Sequence, residues 1–287
     1  MSLPKITIVT PVYNGERFIE ETIRSILDQN YPHLEYIIVD GGSTDRTLEI
    51  VKSFGDRVTR LISEKDKGMY DALTKGFSFA TGELLCWLNA DDKLHPMSLF
   101  SAAEIFSTFP EVEWITGTPN NFDEKGRCVE VFPQRKWSVY QYLRGDYFTI
   151  QQESVMFRKS LYDKAGGTFH PDLRYAGDFE LWMRFFRQGA KLYSASILFG
   201  GFRRHGFGQL TGQISHYRNE ALKVYAEMRM TDKERAVIEQ LNSLERVRLK
   251  IPYLRARLGW QKKHFDLLDF PPGIHFDFHK QTFVLKG

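Results

Sequence analysis

Only two cysteines, Cys86 and Cys128, occur in the 287 residues. That is too few for a disulfide framework or a cysteine-built zinc site, so both read as core fillers in a reducing compartment. No window approaches 18 uninterrupted apolar residues, and the start "MSLPKITIVTP" lacks a basic region followed by an apolar run. These absences argue against a membrane-spanning helix and a secretory leader, and the expected location is cytoplasmic. Net charge is only +3, which gives no reason to expect a nucleic-acid partner. There is no low-complexity tract or fixed-period repeat, and with 42% hydrophobic and 26% charged residues the composition excludes a disordered chain.

What is present is an alternation of strand and helix patterns. A β-branched run from Ile6 to Val9 leads into Pro11, Asn14 and Gly15, and then Phe18, Ile19, Thr22, Ile23, Ile26 and Leu27 recur at helical spacing. "YIIVDGGSTDRTLEIV" repeats the plan, "VTRLIS" and "MYDALTKGFSFA" give a third strand and helix, and "ELLCWLN" a fourth strand. Short connections imply a mostly parallel sheet, whose ligands bind where the strands' carboxyl ends open. Tyr13, Asn14, Asp40, Asp91 and Asp92 all fall at such ends and are expected to converge on one crevice. Beyond Pro96 the spacing predicts a helix from Met97 to Phe109, a strand at "EWITG", and a hairpin around "FDEKGRCVEVF". Further on come an aromatic-rich stretch from Trp137 to Phe148, a helix at "DFELWMRFFRQG" and a strand at "KLYSASILFGG", and the last 75 or so residues read mainly as helices.

Each candidate has a functional and a plain reading. Asp91 beside Asp92, after a buried strand, reads either as a seat for Mg2+ or Mn2+ with positions left for phosphate oxygens, or as a solvated loop before a helix. Asp40 before "GGST" reads as an acceptor for a nucleobase or ribose, or as an Asx-turn former. Thr10, Pro11, Tyr13 and Glu16 line a base-proximal wall or serve only in a turn. Glu64, Asp66 and Lys67 form a charged loop in which Lys67 offsets phosphate charge or is simply solvated. Asp178 sits where a helix begins, as a dipole partner or as a general base, with Glu180 the competing candidate. In "GGFRRHGFGQLTG", His205 is a packing residue or completes a metal or diphosphate site, with Arg203 or Arg204 to neutralise charge.

Taken together, "TPVYNGERFIEETIRSIL", "EYIIVDGGSTDRT", "SEKDKGMYDALTKG", "GELLCWLNADD" and "AGDFELWMR" resemble family 2 glycosyltransferases with the GT-A fold. The resemblance runs from about Lys5 to Gly212, nearly three quarters of the chain. It implies an α/β fold with a Rossmann-like, mixed but mostly parallel sheet flanked by helices, here followed by a C-terminal helical extension. It further implies transfer from a nucleotide-sugar donor, most often UDP-linked, with inversion at the anomeric carbon and help from a divalent cation, Mn2+ or Mg2+. By the same resemblance Thr10, Pro11, Tyr13, Glu16 and Asp40 hold the nucleoside, and Asp66 and Lys67 line the donor site. Asp92 with Asp91 binds the metal, Asp178 is the base, and His205 approaches the metal or diphosphate. Gln152 and Glu153 fall on the acceptor side. Two positions depart from the family pattern: Asn89 stands where many relatives open the metal motif with Asp, so that it offers a hydrogen bond to ribose or sugar but no charge, and Gly177 stands where many have Glu before the base.

The chemistry asks for the same parts. Departure of a nucleoside diphosphate builds negative charge, the sugar ring becomes oxocarbenium-like, and the acceptor hydroxyl loses a proton. A cation, a rigid nucleoside clamp and a carboxylate base answer these needs. A sugar nucleotidylyltransferase would carry a Gly-rich basic loop after the first strand, which "TPVYNGER" matches poorly. A catalytically silent sugar-nucleotide or glycan-binding protein remains the alternative of another class. The expected organisation is a nucleotide half over 1–95, an acceptor half over 96–212 and a helical extension over 213–287. Within that extension, Leu244 to Lys263 holds seven Lys/Arg against one acid, Glu245. It reads as a solvated face or oligomer contact, or as a peripheral contact with anionic lipid near a lipid-linked acceptor.

Overall fold

A computed structural model describes residues 3–145, 150–206, 214–250, 264 and 266–287, with side chains of the third segment to residue 246. Most of the basic stretch from Leu244 to Lys263 lies outside the described residues. The nucleotide-proximal elements are β1 (Ile6–Val12), α1 (Ile19–Leu27), β2 (Leu34–Asp40), α2 (Thr47–Ser53), β3 (Arg60–Ser63), α3 (Met69–Ser78) and β4 (Leu84–Trp87). Next come β5 (Lys93–Leu94), α4 (Ser98–Thr108), β6 (Trp114–Thr116), β7 (Asn120–Phe122), β8 (Cys128–Val131) and α5 (Val139–Leu143). The chain continues through β9 (Val155–Arg158), α6 (Lys159–Lys164), α7 (Gly177–Arg187), β10 (Leu192–Ser194) and β11 (Gly200–Arg203). It ends with α8 (Ile214–Glu227), α9 (Asp232–Lys250), β12 (Gly273–Asp277) and β13 (Thr282–Lys286).

The central sheet has the order β10-β6-β9-β4-β1-β2-β3. All its pairs are parallel except those of β9, which runs antiparallel between β4 and β6. Because side chains alternate across a strand, neighbouring residues enter opposite layers. Ile8, Ile38 and Cys86 pack with the buried stripe Ile19, Ile23 and Ile26 of α1 and with Leu99 and Ala103 of α4. Val9, Ile37, Val39 and Leu85 pack on the other face with Leu73 and Phe77 of α3. That second layer is unusually aromatic: Trp182 of α7 lies 5.4 Å from Trp87 and 5.4 Å from Trp114, ring centre to ring centre. Trp137 and Tyr142 of the aromatic-rich stretch are buried in this layer at 2% and 1% exposure, and residues 146–149 of that stretch lie outside the described residues. Tyr142 stacks on Phe179 of α7 at 5.3 Å, and Trp137 packs edge-on against Tyr142 at 6.3 Å.

A second sheet, β5-β11-β7-β8, stands over the carboxyl ends of the first, and the hairpin read around "FDEKGRCVEVF" forms its β7–β8 edge. The end of the chain differs from the helical expectation. β12 and β13 pair antiparallel, Ile274 and Phe283 enter the core, and Ser196 donates its N–H to the Ile274 carbonyl at 2.8 Å. "GIHFD" and "TFVLK" carry a period-two pattern closed by Gln281 at φ 51°, a strand signal too short to stand out beside the long polar helices before it.

Candidate active site

The first two strand-to-helix loops are tied to each other before any ligand enters. Asn14, in a left-handed conformation at φ 50°, accepts the Thr44 N–H on its side chain at 2.8 Å and donates its own N–H to Ser43 at 2.8 Å. Gly15 donates its N–H to Thr47 Oγ1, and the Glu16 carboxylate accepts the Arg46 N–H at 3.0 Å. Asp40 is 0% exposed, and its carboxylate accepts N–H bonds from Gly42 and Ser43 and a hydroxyl bond from Ser63 at 2.7 Å. Thr10 is likewise 0% exposed and accepts from the Tyr36 hydroxyl. These two side chains therefore brace the loops from inside. Pro11 is buried in β1, whereas Tyr13 is 65% exposed at the strand tip.

Across the β2 tip, the Asp66 carboxylate accepts the Gly68 N–H at 2.9 Å, and burial raises it above the ordinary carboxylate range against that bond. Its Oδ2 lies 2.7 Å from where a Cβ on Gly41 would sit, so a side chain there would displace it. Lys67 is exposed.

Adjacent acids at the β4 tip point in different directions. Asp92 is 0% exposed, accepting the Arg203 N–H at 2.8 Å and the Asn89 side-chain amide at 3.2 Å. It also shares a hydrogen bond with Glu153, itself 6% exposed. Burial, then the charges of Glu153 and Asp91, push Asp92 well up, and burial raises Glu153 too. Asp91 keeps 31% of its side chain exposed, with Oδ2 3.0 Å from His205 Nε2. The expectation that Asp92 leads the metal site thus meets an inward-facing side chain. Successive residues of a tight turn diverge, and the backbone of β11 captures one of them. Gln152 and Glu153, expected on the acceptor side, instead lie beneath the acids: Gln152 donates to the Trp87 carbonyl at 2.7 Å and accepts from Asn89.

Arg203, expected as a diphosphate counter-charge, is 0% exposed and serves the turn. Its Nε donates to the Asp91 carbonyl at 2.6 Å and its guanidinium lies 2.7 Å from Glu21. Arg204 is 66% exposed, 4.0 Å from Glu130. The His205 ring packs on Phe18 with ring centres 4.5 Å apart.

Asp178 lies in the first turn of α7, where the helix dipole favours negative charge. Its Oδ1 accepts the Phe179 N–H at 2.7 Å and faces the Tyr70 hydroxyl at 3.3 Å, and the Tyr217 hydroxyl also bonds its carboxylate. Burial outweighs those donors and raises Asp178 to about 6. Glu153 feels the charges of both Asp91 and Asp178, so the three acids lie near one another. Glu180 points elsewhere, paired with Arg184 at 2.8 Å. Gly177, the second departure from the family pattern, is explained by Tyr70, whose ring carbons lie 2.8 Å from where a Cβ would stand. Tyr70, Tyr217 and Glu220 are missing from the sequence reading. Tyr70 falls in the apolar stripe of α3 and reads as core, and the two α8 residues have no motif to announce them.

A cation has partial provision. Among the described residues no group of three or more His, Cys, Asp or Glu is placed to hold a metal ion. One carboxylate and one imidazole, Asp91 and His205, do face each other, and the buried Oδ1 of neighbouring Asn89 has no hydrogen-bond partner among the described residues. The Asp91–His205 pair fits a divalent ion that takes its remaining ligands from phosphate oxygens and water.

A mostly parallel sheet carrying at its strand tips a partly exposed acid, Asp91, against a buried histidine, and a raised aspartate at a helix start nearby, has the architecture of the GT-A class of α/β protein. Residues 7–164 match the profile of glycosyl transferase family 2, and the chain belongs to that family of transferases. An uncharacterized glycosyltransferase of Rickettsia prowazekii is 29% identical over 210 residues, which span 68% of this chain and 63% of that protein. Staphylococcus aureus TarS residues 1–349, solved in complex with UDP-GlcNAc, superpose with a TM-score of 0.66 at 18% identity, covering 92% of this chain and 79% of that one. The mannosyltransferase PcManGT from Pyrobaculum calidifontis, in complex with GDP-Man and Mn2+, superposes with a TM-score of 0.61 at 21% identity, covering 83% of this chain and 68% of that one. Both structures share the fold.

Proposed function

We propose that this chain transfers a sugar from a nucleoside-diphosphate donor, UDP-linked, to a hydroxyl of a glycan or lipid-linked acceptor, with inversion at the anomeric carbon. The observation that carries the reading is Asp178: a carboxylate raised to about 6, at a helix start, near enough to Asp91 that Glu153 feels both charges. TarS with its UDP-GlcNAc and PcManGT with its GDP-Man and Mn2+ lend support to a nucleotide-sugar donor and a divalent cation.

The residues divide the work by position. Exposed Tyr13 offers its ring to the nucleobase, with Glu16 beside it, while Thr10, Pro11 and Asp40 keep the loop in shape behind them. Asn89 Oδ1 accepts a ribose or sugar hydroxyl, Asp66 bounds the donor side, and Lys67 lies near the phosphates. Asp91 and His205 hold the cation, which when bound supplies positive charge against the leaving diphosphate. Asp92, with Glu153 and Arg203, holds Asp91 in place. Asp178 takes the proton of the acceptor hydroxyl as its oxygen bonds to the anomeric carbon and the carbon–phosphate-oxygen bond breaks. One displacement needs one base and no covalent nucleophile, which accords with inversion. No helix among the described residues is long and apolar enough to cross a membrane. We place the enzyme in the cytoplasm, meeting its acceptor at the inner face of the membrane in polysaccharide or glycolipid synthesis.

A panel of UDP- and GDP-sugars incubated with acceptor extracts and Mn2+, followed by nucleoside-diphosphate release, tests the reading. Transfer from one donor with an acid limb near pH 6, below which protonated Asp178 is inert, is expected. Tight nucleotide-sugar binding without turnover under all conditions would make the chain a silent binding protein. Asp91→Asn is expected to weaken Mn2+ binding more than Asp92→Asn, and the reverse order would return the leading metal role to Asp92.

A further inference from the structure

The face of α8 that meets α7 carries an unexpected composition. Positions 217, 220, 221 and 224 follow helical spacing along one stripe. Ala221 and Val224 are buried, as a packing face requires, but the stripe begins with a tyrosine and a glutamate. A face built only for packing would have apolar residues there. Glu220 gathers three consecutive backbone N–H groups, those of Arg174 at 3.1 Å, Tyr175 at 2.7 Å and Ala176 at 2.9 Å. These residues lead directly into the first turn of α7, where Asp178 sits. The Tyr175 ring stacks on His216, one turn before Glu220 in α8, with centres 5.3 Å apart, and so adds to the hold on the same segment.

Tyr217 acts on the side chain. The Tyr70 hydroxyl accepts the Asp178 N–H at 3.2 Å, and its one proton is divided between the Tyr175 carbonyl at 3.0 Å and Asp178 Oδ1 at 3.3 Å. The Tyr217 hydroxyl is then the phenol donor that supplements this divided bond to the Asp178 carboxylate. Burial and the charge of Asp178 keep the Tyr217 phenol protonated, hence donating.

We propose that Tyr217 and Glu220 are positioning residues for the base, so that the C-terminal extension completes the active site of the preceding domain. The inference rests on Asp178 being the general base. Glu220 sets where the backbone delivers the carboxylate, and Tyr217 with Tyr70 sets its orientation and favours its ionised form. Among the described residues, titratable groups that act on or near Asp178 include Tyr70 from α3, Tyr217 from α8 and Glu153 from the segment before β9.

The test is a pH profile of kcat and donor KM on the full chain for wild type, Tyr217→Phe, Glu220→Gln and Asp178→Asn, with thermal unfolding of each. Loss of the phenol donor leaves the ionised carboxylate less stabilised, so the acid limb of Tyr217→Phe is expected to move up by about one pH unit, the scale of a hydrogen bond to a charged group. Its donor KM stays unchanged and its kcat recovers at high pH. Glu220→Gln is expected to lose about tenfold in kcat at every pH with donor KM unchanged, as a misplaced catalytic group does. Wild-type profiles in both variants, or a drop in melting temperature with no change in limb or kcat, would overturn the positioning role. Full transfer by Asp178→Asn would instead remove the base itself, a failure separable from the first because it does not depend on Tyr217 or Glu220.

Discussion

The two ends of the central sheet bury carboxylates in opposite ways. At the amino end, Glu35 accepts from Thr7 Oγ1 at 2.6 Å, Thr81 N at 2.7 Å, Thr81 Oγ1 at 2.6 Å and Lys5 Nζ at 3.0 Å. Burial would raise it, but those donors together hold it down to about 2. At the carboxyl end, Asp66, Asp92, Glu153 and Asp178 are all raised, because burial there is not matched by donors and, for Asp92 and Glu153, other acids stand close. Burial is common to both ends, so the supply of donors decides the sign. Glu35 is built for stability, whereas the carboxyl end, apart from the well-supplied Asp40, keeps four acids with unmet demand for positive charge and protons, which suits chemistry.

That contrast can be broken from either side. The largest effect is expected for Asp178→Asn, which should lose about a thousandfold or more in transfer, the range of a positioned general base, while its melting temperature stays level or rises because a poorly solvated charge is gone. A variant that loses activity and stability together would place Asp178 with the structural acids. Glu35→Gln should do the reverse, costing on the order of 2–3 kcal/mol in denaturant unfolding while kcat per folded molecule is retained. Since the native value of Glu35 is depressed, its stabilisation is complete above the ordinary value of 4.5 and disappears as pH falls toward about 2. Acid unfolding of wild type but not Glu35→Gln should steepen in that window, and identical curves would remove Glu35 from the account. The smallest effect is expected for Gly177→Ala. Its Cβ would press the Tyr70 ring aside, reducing kcat about tenfold or less at unchanged donor KM, since displacement of a supporting group disturbs alignment more than binding. Unchanged kcat would mean that Tyr70 does not hold Asp178.

The strands and their tips were legible in advance because they depend on local pattern. Apolar, β-branched runs in "ITIVTPV", "EYIIVD" and "ELLCW" marked strands, and the turn residues after them marked the tips where Tyr13, Asp40 and Asp91 stand. Orientation at those tips was not legible. Nothing in "NADD" distinguishes the acid that turns inward from the one left partly exposed. That choice is made by the N–H of Arg203, 111 residues further on. Asp40 shows the same limit: its turn-forming reading describes its bonds, and no periodicity could have weighed that against contact with a nucleoside. The hairpin at the end of the chain escaped notice because two five-residue strands carry little signal until β10 gives them something to pack on.

By itself the amino-acid order determined the strands, the helices and which residues occupy the ends of the strands, because hydrophobic period and turn chemistry act over a few neighbouring residues. Tertiary packing decided the rest: which acid of a pair is inside, that Tyr70 fills the space beside Gly177, and that α8 reaches back to Asp178. Those outcomes depend on donors and rings brought together from distant parts of the chain, and only the closed fold sets their distances.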